Sequence, residues 1–369
     1  MRKLLAFAKR EFVFVVALAA AMISMAFVPI DGAYASYVDF RIIALLFSLM
    51  LVIQGLIRFG LFSAVSRRLA AKAGSVKSLA MILVCSVFLF SMLVTNDVSL
   101  LTFVPLTLMV YPKEDRGSLR FVIVMETIAA NLGSMAFPFG NPQNLYLYTY
   151  YRMPFGVFFK VVFPVALCSL GMILLVVSFH HYEGALHGDD TVPVSLDDKK
   201  LGVGLALFAL CIMTALRLLD YRLTFFVVSV CMLFLDRKSF GKVDYGLLGT
   251  FVFFFVFVGN LGRIPSVTRV LMQSIQGREF LYGVLASQVI SNVPAAILLS
   301  HFTANGTAIV LGTDIGGLGT LIASLASLIS FKIYGRSGDA HKGRYLLLFT
   351  VWNFVFLVLL SAFAAFVLL

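Results

Sequence analysis

Apolar residues run in long blocks from one end of the chain to the other, separated by short charged stretches. Uninterrupted blocks lie at about 12–30, 42–62, 155–179, 201–219, 223–235, 246–262 and 345–369. A bilayer-spanning helix needs roughly 20 predominantly apolar residues. The pattern therefore predicts an all-α polytopic membrane protein.

Two further blocks are interrupted. Residues 79–94 are apolar, Thr95-Asn96-Asp97 breaks the run, and residues 98–110 are apolar again. One continuous helix over that length would overshoot a bilayer, so a re-entrant hairpin at about 79–110 with a polar tip is predicted. A second hairpin is predicted at about 279–303, turning on Ser291-Asn292-Val293-Pro294. Two crossing segments, at about 119–151 and 308–334, carry residues that unwind a helix. In the first these are Asn131, Gly133, Pro138, Gly140, Asn141, Pro142 and Asn144; in the second they are Thr313-Asp314-Ile315-Gly316-Gly317. Proline removes a backbone donor and glycine favours non-helical angles. About nine transmembrane helices plus two hairpins follow.

Charge adds an orientation. Arg67, Arg68, Lys72, Lys77, Lys113, Arg116, Arg120, Arg237, Lys238, Lys242, Lys332, Arg336, Lys342 and Arg344 all fall on one side of this tracing. That side is cytoplasmic by the positive-inside rule. Arg2, Lys3, Lys9 and Arg10 put the N-terminus there too, as in a bacterial inner (plasma) membrane protein. The same N-terminal stretch, followed by Ala33-Tyr34-Ala35, imitates a cleavable signal peptide; a retained first span closes the topology. The stretch at 263–278 fits less well, because it is read as an outside loop yet holds Arg263, Arg269 and Arg278. The net charge of +11 resides in these loops, so it points to membrane topology and not to nucleic acid. Composition agrees: 61% of residues are hydrophobic and 13% charged, against about 25% charged in soluble domains. Four cysteines sit inside apolar runs without metal-ligand spacing. His180, His181 and His187 lie in the longest polar stretch, 180–200, which reads as a cytoplasmic linker.

The halves on either side of that linker, 1–179 and 201–369, resemble each other. Val38-Asp39-Phe40 matches Val243-Asp244-Tyr245 at an offset of 205, which also pairs Arg58 with Arg263. Thr95-Asn96 corresponds to Ser291-Asn292, and Asn131-Leu132-Gly133 to Asp314-Ile315-Gly316 at an offset of 183. The first hairpin enters from inside and the second from outside, so the repeats are predicted to be inverted, a plan that recurs in secondary transporters.

Unpaired backbone groups cost several kcal/mol in hydrocarbon. Two tips and two unwound helices therefore mark a protein-lined or water-filled cavity near mid-depth. Freed carbonyls suit a hard cation, and half-helix N-termini suit an anion. Candidate binding residues are Thr95, Asn96, Asp97, Asn131, Gly133, Asn141, Asn144, Ser291, Asn292, Thr313, Asp314 and Gly316. Intramembrane carboxylates are functional candidates by default, so Asp97, Asp314 and Glu126 are candidate proton carriers. Arg58 and Arg263 read as snorkelling side chains or as a pair that attracts an anion.

Four stretches resemble the ion transporter superfamily: TNDVSLLTFVPLTL (95–108), ETIAANLGSMAFPFGNPQNL (126–145), SNVPAAILL (291–299) and GTDIGGLGTLIASLASL (312–328). That group includes the arsenite-pump and sodium/proton-antiporter families, the citrate carriers and the divalent-anion/sodium symporters. The resemblance implies a scaffold part and a moving transport part, elevator-like alternating access, and a homodimer. In the divalent-anion branch the tips read Ser-Asn-Thr and bind cation and substrate. Here the asparagines match, but the third positions are Asp97 and Val293, and Asp97 looks closer to the arsenite-pump and antiporter side.

The reading is a membrane transporter, not an enzyme: a secondary carrier of a small anion or oxyanion, coupled to sodium or a proton, with no cofactor beyond that ion. Its partners are the lipid bilayer and the small anionic substrate. Sodium/proton antiport is the alternative. More remote are an intramembrane aspartyl protease using Asp97 and Asp314, which could share a proton, and a passive channel.

Overall fold

The computed structural model describes residues 11–112, 115–183, 196–338 and 340–368. Residues 1–10, Lys113 and most of the 180–200 linker lie outside this description. Among the described residues the fold is all-helical. The first half contains α1 (Phe12–Met25), a short α2 (Tyr34–Tyr37), α3 (Phe40–Arg58), α4 (Leu61–Ala70), α5 (Val76–Leu93), α6 (Asn96–Val110), α7 (Arg116–Ser134), α8 (Pro142–Tyr150) and α9 (Phe155–Phe179). The second contains α10 (Asp198–Ala215), α11 (Tyr221–Leu235), a 3-10 turn (Arg237–Lys242), α12 (Tyr245–Gly262), α13 (Pro265–Ile275), α14 (Glu279–Ile290), α15 (Asn292–Ser300), α16 (Gly306–Ile315), α17 (Leu325–Tyr334) and α18 (Lys342–Val367).

The helices α3, α5, α9, α12 and α18 are long and apolar enough to cross a membrane, and α1, α6, α11, α14, α16 and α17 are shorter apolar helices. The chain is therefore an integral membrane protein. The polar tips fall where the apolar pattern placed them, but the chain unwinds later than predicted, at 135–141 and 316–324, so Asn131 and Gly133 lie in the last turn of α7 and Thr313 and Asp314 in that of α16. Three further expectations change. At 18 residues, α5 could cross a bilayer alone, so length does not mark it as a half-depth limb. Residues 61–70 and 265–275, read as span end and loop, are helices. Their cations Arg67, Arg68 and Arg269 stand among apolar residues at helical spacing, so each helix is amphipathic. That is how 263–278 accommodates charge beside apolar neighbours.

The matched sequence landmarks have a physical cause. Asp39 accepts from the backbone amides of Arg41 and Ile42 and so caps α3, while Asp244 accepts from Leu247 and caps α12. Arg58 and Arg263 are ion-paired. Arg58 bonds Asp236, and Arg263 bonds Asp31 at 2.7 Å. Asp31 and Asp236 are themselves 205 positions apart, so each arginine of one half meets the aspartate of the other. The hydrogen bond from Arg263 holds the Asp31 carboxyl below its usual range. These arginines hold helices together at the surface, rather than standing free to attract an anion.

Two groups of helices result. In one, α1 packs on α12, and α3 packs on α10 and α11. In the other, α5, α6, α7 and α9 interlock with α14 through α18. Contacts of α12 with α15 and of α3 with α8 join the groups. Amphipathic α4 and α13 lead from one group to the other, flanked by left-handed Gly60 (φ 84°) and Gly277 (φ 75°).

Close approach of α7 to α5 needs Gly133. A Cβ there would lie 2.3 Å from the Phe88 carbonyl oxygen and 2.4 Å from Ser91 Oγ. Gly316 makes the corresponding approach in the second half, 2.9 Å from Ser287 Oγ. Gly171 in α9 has open space around it. Gly133→Ala should destabilise the protein by about 1–3 kcal/mol through overpacking, whereas Gly171→Ala should be neutral or mildly stabilising. Denaturant unfolding in detergent measures both.

Candidate functional site

Both hairpins turn directly into the N-terminus of a helix. Thr95 caps α6, its Oγ1 accepting from Val98 N at 3.4 Å. Buried Asn96 follows, and its Oδ1 accepts from Asp97 N at 3.0 Å. At the second tip buried Asn292 repeats this, with Oδ1 accepting from Val293 N at 3.0 Å. Each asparagine thus folds its carbonyl oxygen back on its own helix start, and its Nδ2 is turned toward an unwound segment. Asn96 Nδ2 donates to Asn131 Oδ1 at 3.2 Å, and a Cβ on Gly317 would lie 3.0 Å from Asn292 Nδ2. Ser291 adopts φ 74°. That left-handed conformation costs a residue with a side chain about 1–3 kcal/mol. It is held by Asn292 N donating to the Ala323 carbonyl at 2.9 Å and by Ser291 Oγ donating to the same oxygen at 3.3 Å.

The broken helices α7–α8 and α16–α17 are tied crosswise. Asn131, near the end of α7, accepts at Oδ1 from Ser324 Oγ (2.9 Å) and donates from Nδ2 to Ser327 Oγ (3.3 Å). Those serines sit at the start of α17. Asp314, near the end of α16, accepts at Oδ1 from Asn141 Nδ2 (3.1 Å) and Gln143 Nε2 (3.3 Å), at the start of α8. Asn141 also caps α8 through Asn144 N and donates to Ser134 Oγ, which donates to the Asn131 carbonyl. A single buried network therefore connects the N-termini of α6, α8, α15 and α17. Such N-termini carry roughly half a positive charge each.

Of the remaining predicted residues, Gly133 and Gly316 serve close packing, and the Gly316 carbonyl accepts from Gln288 Nε2 at 2.8 Å. Thr313 Oγ1 donates back to the Ile309 carbonyl within its own helix. Glu126 is buried behind the site, accepting from Thr107 of the first hairpin. Thr95 and Asp97 line a cavity of about 720 Å³, with Pro142, Gln54, Lys242 and Asp244. The acidic neighbour of Asp97 is Asp244, and no bond links Asp97 to Asp314 among the described residues. No cluster of His, Cys, Asp and Glu suited to a metal occurs among the described residues. His180 instead stacks on Phe121, with centroids 3.9 Å apart.

Sequence reasoning missed Gln143, Gln288, Ser324 and Ser327. The serines had a signal: the offset of 183 that pairs Asn131 with Asp314 also takes Asn141 to Ser324 and Asn144 to Ser327. Gln288 had none. Its Nε2 donates to the Gly316 and Leu318 carbonyls and its Oε1 accepts from Thr320 N, which satisfies the backbone of the second unwound segment.

The crossed bonds predict selective coupling. Asn131→Ala with Ser324→Ala, and Asp314→Ala with Asn141→Ala, should each be non-additive in unfolding free energy by about 0.5–3 kcal/mol. Ser324→Ala with Thr214→Ala, whose hydroxyl bonds Thr224 in the other helix group, should add within about 0.5 kcal/mol.

Comparison with known proteins places this geometry. An uncharacterised transporter of Methanocaldococcus jannaschii is 32% identical over 330 residues, 89% of this chain and 90% of its own length. Inner membrane protein YbiR of Escherichia coli is 29% identical over 312 residues, 83% of each chain. A silicon efflux transporter of Oryza sativa subsp. japonica is 34% identical over 155 residues, 42% of this chain and 31% of its own. The family model described as citrate transporter matches residues 4–308. An integral membrane chain with paired polar hairpin tips and crossed broken helices, matched over most of its length by that model, belongs to the citrate transporter family, within the ion transporter superfamily.

Proposed function

We propose that this protein is a secondary active transporter that moves a small anion or oxyanion across the inner (plasma) membrane, coupled to sodium or a proton. The observation that carries the reading is the buried network joining four half-helix N-termini to Asn96, Asn131, Asn292 and Asp314. Helix N-termini favour an anion, and a carboxylate among them supplies a counter-charge for a cation. Coupled binding of one of each follows from that mixture. Among the relatives, a silicon efflux transporter supports a small inorganic cargo and an inner membrane protein supports that location. Citrate itself is less favoured, because Asp97 and Val293 stand at the third tip positions.

Apart from α10, which has no counterpart in the first half, the matching element order on both sides of the linker supports two inverted repeats, 1–179 and 201–369, with the N-terminus cytoplasmic. In this reading the cavity beside Asp97 opens to the cytoplasm, since Lys242 and the cationic 3-10 turn border it. The group containing α1, α3, α10, α11 and α12 forms the scaffold. The group bearing both tips is the part that moves in an elevator-like cycle, and a homodimer holds the scaffolds fixed. Sodium/proton exchange is the second reading, favoured by Asp97 and Asp244 facing one another across the cavity.

Asn96→Ala and Asn292→Ala should each abolish uptake in proteoliposomes while leaving expression and folding intact; normal transport by both variants rejects the site. The cargo is found by a thermal-shift screen of anions with and without sodium, because a ligand at 100 times its Kd raises stability by about 2.7 kcal/mol. Proton movement driven by a sodium gradient in the absence of any anion would favour exchange instead.

A further inference from the structure

Three non-glycine residues among the described ones adopt positive φ, and two of them are arginines. Arg152 (φ 48°) follows α8 and Arg217 (φ 64°) follows α10. Each closes its helix in the same way. Arg152 N donates to the Thr149 carbonyl at 3.2 Å and Met153 N to the Tyr148 carbonyl at 3.2 Å; Arg217 N donates to the Thr214 carbonyl at 3.0 Å and Leu218 N to the Met213 carbonyl at 2.9 Å. That paired closure places one left-handed residue just beyond the helix, a position that favours glycine. A residue with a side chain costs about 1–2 kcal/mol there, so the two arginines are present for their side chains. The positive charges of Arg152 and of Arg41, in the first turn of α3, both act on Arg217. Three guanidinium groups from three elements therefore gather at one place. None of them is in an ion pair among the described residues. The carboxylates next to them in sequence, Asp39 and Asp220, accept from backbone amides at the starts of α3 and α11. Arg217 Nη2 donates to the Tyr148 carbonyl, and its Cζ stands 4.6 Å from the centre of the Tyr148 ring. Arg152 is exposed, and Arg41 and Arg217 are half-buried. Arg41 Nε is buried and has no acceptor.

A cation at a helix C-terminus is favourable, which accounts for Arg152 and Arg217 taken singly. It does not account for Arg41, which stands at a helix N-terminus, where the same field opposes a cation. Nor does it account for a buried N–H without an acceptor, which keeps its full desolvation cost. Three like charges around such a donor lack an anion. We infer that Arg41, Arg152 and Arg217 form a binding site for a phosphate-type oxyanion, free or carried on a lipid headgroup, separate from the hairpin tips. The planar fork of arginine presents paired donors that match two oxygens of such a group. The Asp97 cavity meets α3 no nearer than Met50, nine residues from Arg41 or roughly 13 Å along the helix. The inference rests on the transporter reading only for its consequence. Arg41 and Arg217 belong to the group taken as scaffold, and Arg152 and Tyr148 to the group taken as moving. An oxyanion held by all three ties the groups together at the end of α3 away from that cavity, and so holds the arrangement seen here.

Two probes test this on the purified full-length protein in detergent at constant ionic strength: inorganic phosphate, and mixed micelles containing phosphatidylglycerol. Thermal unfolding reads affinity, because a ligand of the folded state raises its stability, and hydrogen–deuterium exchange maps the place. One probe or both should stabilise wild type and slow exchange at 39–43, 148–153 and 214–218. A response to phosphate identifies a soluble anion; a response to phosphatidylglycerol alone identifies a headgroup. The apparent Kd of the effective probe should weaken by about tenfold or more in Arg41→Gln and in Arg152→Gly, since each removes a charge-assisted contact. Arg152→Gly is the sharpest variant, because glycine relieves the left-handed backbone. It should be more stable than wild type without the probe and less responsive to it. A gain in stability with the response intact makes Arg152 a helix end only and overturns the site. Should Arg41→Gln fold poorly, Arg41→Lys serves, and it too should weaken the response, because one ammonium replaces the paired donors. Protein carrying both Asn96→Ala and Asn292→Ala separates this site from the tips. Its protection at 148–153 should persist, and that result stands even where the transport reading fails. Loss of protection there, with the arginine variants responding as wild type does, assigns the ion to the tips and overturns the proposal. Absence of any response of wild type to either probe overturns it as well.

Discussion

A helix broken inside an apolar medium leaves backbone and side-chain polar groups that water cannot reach, and each one left unmet costs several kcal/mol. This chain meets that constraint by exchange between its halves. The end of α7 is completed by serines at the start of α17, and the end of α16 by amides at the start of α8. Neither broken helix is self-sufficient. The hairpins depend on the same exchange, because Asn96 bonds Asn131 and Asn292 bonds the residue before Ser324. The strained Ser291, the glycine contacts at Gly133 and Gly316, and the position of the cavity beside the first tip all follow from fixing these four segments to one another.

Much of this was legible in the sequence because polar and helix-breaking residues are conspicuous in apolar runs. Thr95-Asn96, Ser291-Asn292 and the Asn131 and Asp314 breaks are visible for that reason, and the structure places them in one network. Asp39 and Asp244 were legible as a repeated pair, and only the structure shows that they repeat because both cap a helix. Amphipathic α4 and α13 were not legible as helices, since ten or eleven residues of mixed character after a long span look like a span end or a loop. Gln288 was silent because its role is to satisfy carbonyls that are freed only when the chain unwinds after Asp314. Ser324 and Ser327 were hidden because serine is common in membrane helices and draws notice only once its twin position holds asparagine.

The halves are similar in plan and unequal in charge. Where the first break has an amide, the second has a carboxylate; where the first tip has Asp97, the second has Val293. Across the tips and breaks each half thus carries one acidic group, and the two lie on different features. Asp97 borders the cavity and faces Asp244, whereas Asp314 is enclosed among amides. The two acidic side chains therefore stand in unlike surroundings, one bordering a cavity and one enclosed by the protein.

The reciprocal ion pairs have a mechanical consequence. Arg58–Asp236 lies at one end of α3, and Arg263–Asp31 lies beyond the other, so the two are separated by roughly 28 Å at 1.5 Å per residue. Tilting α11 against α3 strains the first, and tilting α1 against α12 strains the second. The four helices are splinted top and bottom, like a frame pinned at opposite corners. The left-handed glycines Gly60 and Gly277 that flank α4 and α13 lie outside both pairs, and rotation at either residue would displace everything beyond it.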